Sequence, residues 1–328
     1  MATSSRTENK TRLPGLYVAG ATAIISGISV FVNSYGVKSF SSPAVYTTAK
    51  NIAAALVIAA FVAVAWLVSG RRSPARGSAP QAAAPSTARP LQGFSRAVGL
   101  AYVAAIGGGA AFILFFDGLA RTTSISGTFL HDTLVIWVAL AALPLLGEKV
   151  GRWNLAAIAL LVVGITVAWG GAGHLAVNSG NALVLGATLL WAVETVIAKR
   201  LLSGVSPAAL ALVRMGGGAV VLLGYLAVTG QFHELVGLGL GGLGWALVTG
   251  CLLGGYVGTW MTALSRARAI DVTSVLVASA AVTLALNAIV HHTGLGANTG
   301  VATDLIGVAL LGAGVAAVVR SWPRVARA

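Results

Sequence analysis

Two basic residues stand where charge is expensive. Lys50 lies seven residues after Pro43 of a Ser-Pro pair, and Arg214 lies seven residues after Pro207 of another. Each follows the pair into an apolar run. Ser-Pro opens a helix, so both cations sit about 10 Å along one at 1.5 Å per residue. A cation at that depth can hold a substrate carboxylate or phosphate, pair with an acid on a neighbouring helix, or snorkel to the interface. The residues alone leave all three roles open.

Two acids complete the inventory of buried charge. Asp132, next to His131, and Glu194 both fall inside apolar runs. Their chemistry would be to bind a substrate ammonium group, carry a coupling proton, or pair with Lys50 or Arg214. A structural carboxylate satisfied by hydroxyls is the plainer alternative. Milder polar groups recur at helical spacing and so share faces. Thr22, Ser26, Ser29 and Asn33 form one stripe, and Ser279, Thr283 and Asn287 form another. Trp191, Tyr256 and Trp260 add mid-helix aromatics, which either pack as core or stack on a bound apolar group. The candidate cavity set is therefore Ser26, Asn33, Lys50, His131, Asp132, Trp191, Glu194, Arg214, Tyr256, Trp260, Ser279 and Thr283. The histidines at 174, 233, 291 and 292 are too scattered for a metal site, and no cofactor motif stands out.

The elements that must position these groups are membrane helices. The 328-residue chain is 57% hydrophobic and 9% charged, against about 25% charged in soluble domains. Apolar runs of about 20 residues, each able to cross a ~30 Å hydrocarbon layer, recur throughout. Backbone in lipid must satisfy itself, so these runs are helices. The pattern predicts an all-α polytopic protein with ten transmembrane helices near 15–36, 44–69, 97–117, 125–146, 153–171, 181–200, 207–229, 241–264, 271–293 and 302–320. Residues 1–14 and 321–328 read as cytoplasmic tails, and 69–93, rich in Pro, Ala, Ser and Arg, as a flexible cytoplasmic linker. Cys251 is the lone cysteine, so no intrachain disulfide forms.

The net charge of +13 is a topology signal. With the N-terminus in the cytoplasm, the outside loops hold only Lys38 and Arg121, and nearly every other Lys or Arg falls inside. Both termini are then cytoplasmic. The expected partner of the basic excess is an anionic lipid surface, with no role for nucleic acid.

The chain is also one unit written twice. Gly20-Ala21-Thr22 matches Gly186-Ala187-Thr188, Ser42-Pro43 matches Ser206-Pro207, and Lys50 matches Arg214. The units are 15–172 and 180–320. Five helices per unit is odd, so the second copy enters the membrane from the other side. Such inverted repeats are a signature of secondary transporters.

The stretches WAVETVIAKRLLSGVSPAALALVR (191–214), FFDGLARTTSISGTFL (115–130) and LLGEKVGRWNLAAIALLVVGITVAWG (145–170) resemble the drug/metabolite transporter superfamily, in its EamA-type ten-helix carriers. The match runs over both halves. The second half departs from it, with HHTGLGANTGVATD where the family carries Gly-Glu before its last helix. The resemblance implies a cavity between two five-helix halves and export or exchange of small metabolites, often amino acids. The aromatic amino acid exporter branch is the nearest pattern. It places Glu148 at the cytoplasmic edge, as a cap or pairing residue.

The expectation is a secondary carrier in a bacterial cytoplasmic (inner) membrane. It exports amino acids or related amphipathic compounds by alternating access, with protons as the coupling ion the acids would allow. An importer or exchanger of organic anions is the alternative within transport, given Lys50 and Arg214. An intramembrane enzyme is the alternative outside it, although no facing Ser/His or Asp/Asp pattern is visible. No Walker loop is present to supply ATP drive.

Overall fold

The computed structural model describes residues 2–70, 96–148 and 178–291, with isolated helical positions at 155, 158–159, 162–163, 309 and 313. Every regular element among the described residues is helical. Eight helices are long and apolar enough to span a membrane: Pro14–Ser39, Pro43–Val68, Arg96–Ala120, Ser126–Leu146, Ser179–Leu201, Pro207–Val228, Leu240–Arg266 and Ala269–Asn287. They correspond to the first to fourth and sixth to ninth expected spans, and those ordinals are used below. The expected fifth and tenth spans, and the 69–93 linker beyond residue 70, lie outside the described residues.

Local chemistry sets the helix ends. The Ser206 hydroxyl accepts from the Ala209 N–H at 3.2 Å, with Pro207 at the first turn of the seventh span. Ser42 caps the second span in the same style, accepting from the Ala44 N–H at 3.2 Å. Asn178 accepts from the Asn181 N–H at 2.7 Å to open the sixth span. The fourth span stops at Gly147, whose φ of 66° is the left-handed value that glycine tolerates.

The packing repeats with the sequence. The first span lies on the eighth, as the sixth lies on the third. The second span lies on the eighth, as the seventh lies on the third. The first also meets the ninth, as the sixth meets the fourth, and the fourth and ninth meet each other. Each of the first three relations maps onto its partner when the halves are exchanged. The last maps onto itself. This is the pseudo-two-fold of a repeated unit. The halves interleave, because the first and sixth spans each pack mainly on helices of the opposite half.

Glycine permits two close, symmetry-related crossings. A Cβ on Gly108 would stand 1.9 Å from the Arg214 carbonyl oxygen, and one on Gly218 would stand 2.2 Å from the Gly108 oxygen. Third and seventh spans therefore touch backbone to backbone. At the related crossing, a Cβ on Gly250 would stand 2.4 Å from Ala53 Cβ and 3.0 Å from the Lys50 oxygen.

Four spans are irregular at mid-length. The third widens to a π-helix over Val103–Ala110, and the seventh over Val213–Gly217. The fourth breaks at Thr133, between helices Ser124–Asp132 and Leu134–Leu146. The ninth breaks between Ala269–Leu276 and Ser279–His291. Pro144, the obvious kink residue of the fourth span, lies inside continuous helix. The interruption instead falls where the Thr133 hydroxyl bonds back to the Leu130 carbonyl at 2.6 Å.

Candidate functional site

Helices of both halves surround a small, partly open cavity. It is lined by Ser26, Ser29, Val30, Asn33, Lys50, Phe112, Phe115, Phe116, His131, Trp191, Leu253 and Tyr256. The first, second, third, fourth, sixth and eighth spans all contribute, so both halves build it. Its volume is about 40 Å3, room for roughly three waters. A metabolite would need the walls to part.

Lys50 supplies the charge on one wall. The residue is 1% exposed. Its Nζ donates to Asn33 Oδ1 at 2.9 Å and lies 4.0 Å from the Phe116 ring centroid and 5.5 Å from that of Tyr46. The Asn33 amide is itself fixed. Its Nδ2 donates to Ser29 Oγ at 2.9 Å, and the Tyr46 hydroxyl donates to the same Oδ1 that serves Lys50. No carboxylate among the described residues pairs with Lys50.

Aromatic rings, starting with the Phe116 ring that Lys50 contacts, form much of the rest of the lining. Phe115 lies 5.1 Å from Phe116 and 5.2 Å from Trp191, centroid to centroid. Phe112 lies 5.1 Å from Trp191. His131 meets Trp191 edge to face at 5.5 Å. The Trp191 indole is anchored by a 3.0 Å bond from Nε1 to the Gly107 carbonyl, in the π-helical turn. The Asn51 amide reaches the Gly108 carbonyl there at 2.8 Å.

Arg214 has a different environment from its counterpart Lys50. Its Nε and Nη2 bind the Glu194 carboxylate oxygens at 2.6 and 2.9 Å. Both side chains are 4% exposed. Glu194 lies flat against span three, where a Cβ on Gly107 would stand 2.3 Å from its Cδ. The guanidinium centre is 5.1 Å from the Phe112 ring centroid, and Nη1 alone lacks an acceptor.

Asp132 sits at the break of the fourth span and Ser279 just after the break of the ninth. The Ser279 hydroxyl donates to the Asp132 carboxylate, 3.0 and 3.2 Å from its two oxygens. His131 Nδ1 is 3.6 Å from Asp132 Oδ1 and makes no hydrogen bond. Thr283 donates to the Gly27 carbonyl at 3.1 Å and stands 3.3 Å from the Thr128 hydroxyl, which ties first, fourth and ninth spans together.

The twelve sequence candidates thus divide. Ser26, Asn33, Lys50, His131, Trp191 and Tyr256 line the cavity. The other six stand behind its wall, each for a stated reason. Glu194 and Arg214 consume one another, and Asp132 and Ser279 are turned onto each other. Thr283 is spent on helix contacts, and Trp260 stacks on Tyr256 at 6.1 Å. Thr22, from the first stripe, and Thr195, one turn after Trp191, bond back to carbonyls of their own helices. Sequence reasoning missed Phe112, Phe115 and Phe116. Their i, i+3, i+4 spacing was legible as one face, but any apolar helix offers such a face to lipid or core.

At the Lys- and Arg-rich end, Glu148 accepts from the Ala269 and Ile270 N–H groups at 2.8 and 3.2 Å. It caps the ninth span, as expected for that edge position. Burial pushes its carboxyl pKa up, against the lowering effect of those two bonds. Lys199 donates to the Leu264 and Ala267 carbonyls at 2.6 and 2.7 Å, closing the eighth span beside it.

A family described as the EamA-like transporter family matches residues 13–170 and again 178–320. The chain belongs to the EamA-like transporter family. It is accordingly a multi-pass membrane transporter of small molecules. One solved chain, described only as a crystal structure of a protein, superposes with a TM-score of 0.65 at 18% identity. The superposition covers 97% of this chain and 99% of that one, and it speaks for the fold alone. No curated protein matches.

Proposed function

We propose that this EamA-like chain is a secondary carrier exporting small amphipathic metabolites, amino acids or related compounds, across a bacterial cytoplasmic membrane by alternating access. One observation carries the reading: a cavity lined by polar side chains and aromatic rings, built from helices of both halves. Such a site fits a ligand with a polar end and an apolar body. Exchange of the two halves' conformations would open it to alternate faces. The π-helical turns and helix breaks beside it are where spans three, four, seven and nine can bend.

In this reading residues 15–172 and 180–320 are the two five-helix units, and both termini are cytoplasmic, in line with the Lys and Arg distribution. Asp132 serves the substrate ammonium group or a coupling proton. A second reading, an importer or exchanger of organic anions, is favoured by Lys50, which has no carboxylate partner among the described residues. No catalytic step is assigned to the chain.

Purified protein in liposomes, offered labelled amino acids, nucleosides and organic anions with and without a pH gradient, tests the proposal. Saturable flux of amino acids out of the compartment facing the cytoplasmic side is expected. Flux of organic anions only would replace the first reading with the second. No flux of any class, with turnover of a lipid or peptide instead, would overturn both.

A further inference from the structure

Duplication placed a cation at the same depth in both halves, yet the structure treats the two differently. Arg214 is neutralised by a bidentate bond to Glu194 and stands behind the cavity wall. Lys50 lines the cavity, is 1% exposed, and among the described residues touches one neutral oxygen and two aromatic rings. An ammonium carries three N–H donors. Among the described residues Asn33 Oδ1 is the one oxygen that receives any of them, and Tyr46 donates to that same atom.

We infer that Lys50 is the anion subsite of the carrier, holding the carboxylate of a monoanionic substrate whose apolar or aromatic body lies against Phe112, Phe115 and Trp191, while Arg214 is a structural partner of Glu194. The inference rests on the transporter reading and deepens its organic-anion alternative.

Three features support the assignment. An isolated buried charge is costly, and an incoming carboxylate offsets that cost where a neutral ligand cannot. The Ser29–Asn33–Tyr46 chain holds the lysine head from one side and leaves its remaining donors to the cavity. Among the described residues the rings lining the cavity carry no other unpaired cation, because the guanidinium near Phe112 is already bound by Glu194. Size sets a limit as well. The cavity is about 40 Å3, so the ligand is small and its entry widens the space between the lysine and the rings.

The test is equilibrium binding to the full-length protein in detergent, with radiolabelled phenylacetate as probe. Phenethylamine has the same body with a cationic end, and phenyl phosphate replaces the carboxylate by another anion. Saturable phenylacetate binding is expected, displaced by unlabelled phenylacetate and not by phenethylamine. Displacement by phenyl phosphate supports the anion site and widens its class; failure of phenyl phosphate to displace supports a carboxylate-specific one. Lys50→Gln and Lys50→Met should each weaken binding about ten- to hundredfold, the usual worth of a charge-assisted bond, while Lys50→Arg retains part of it. The double variant Glu194→Gln/Arg214→Gln should stay within about threefold of the parent.

Displacement by phenethylamine, full affinity in folded Lys50→Met, or loss of binding confined to the Glu194/Arg214 variant would overturn the inference. So would a parent protein that ignores phenylacetate. The liposome assay separates the two claims. Binding that depends on Lys50 without any flux sinks the carrier and keeps the subsite. Flux indifferent to Lys50 does the reverse.

Discussion

Arg214 and Glu194 bind each other through two charge-assisted hydrogen bonds, 2.6 and 2.9 Å, with both side chains 4% exposed. Twenty residues of sequence and a turn separate them, and the sixth and seventh spans bring them together next to the glycines of the third. The pair is therefore a fastening among three helices.

Removing one partner should leave a buried charge alone. Glu194→Ala or Arg214→Ala is expected to cost about 3–5 kcal/mol, read as a fall in thermal midpoint and in yield from detergent extracts. Replacing both by apolar residues of similar volume should recover most of that loss. Equal damage from the single and double changes would show that the pair is not coupled in this way.

The glycine crossing gives a sharper contrast. Gly108→Ala would drive a methyl group to 1.9 Å from the Arg214 carbonyl, which is backbone and cannot step aside. Spans three and seven must then separate, and severe loss of folded protein is expected. Gly216→Ala meets nothing within 4 Å and should be neutral or gain up to about 1 kcal/mol in helix propensity. Thermal midpoints of the two variants side by side decide the point.

Asp132→Asn keeps the shape and the Ser279 contact but removes the charge. In the proposed carrier it should lower transport at least about tenfold or abolish its response to a pH gradient, with the thermal midpoint changed little. Unchanged flux and unchanged pH response would remove Asp132 from the mechanism and leave it a bolt between the fourth and ninth spans.

Glu148 makes a prediction in pH. Burial raises its pKa above the usual 4.5, so the folded protein binds the proton more tightly than the unfolded chain does. Stability from this group is then greatest at low pH and falls as pH rises from 4.5 through the raised value. Glu148→Gln should flatten that part of the curve of thermal midpoint against pH. A slope identical in the variant would assign the effect to another group. The same change keeps an acceptor for the Ala269 N–H, so the ninth span should still form.

Much of the architecture was legible because membrane physics leaves few options. Long apolar runs in lipid must be helices, Ser-Pro pairs mark where they start, and an odd number per repeat inverts the copy. Those rules use only neighbours in sequence. They delivered the helical class, eight spans that the structure describes, and the pairing of Lys50 with Arg214 by duplication, while Glu148 as an edge cap or pairing residue came from the family resemblance. They gave no sign of the interruption in the fourth span, where the Thr133 hydroxyl bonds back to Leu130.

The sequence determined which residues are charged in the membrane, but it was silent on which charges are spent. Lys50 and Arg214 look equivalent along the chain. Only the tertiary structure gave one a carboxylate and the other a cavity, because ion pairing depends on the rotation and crossing of helices far apart in sequence. The glycines at 107, 108 and 218 set those crossings through contacts between backbones, and no periodicity within a single helix records what lies across from it.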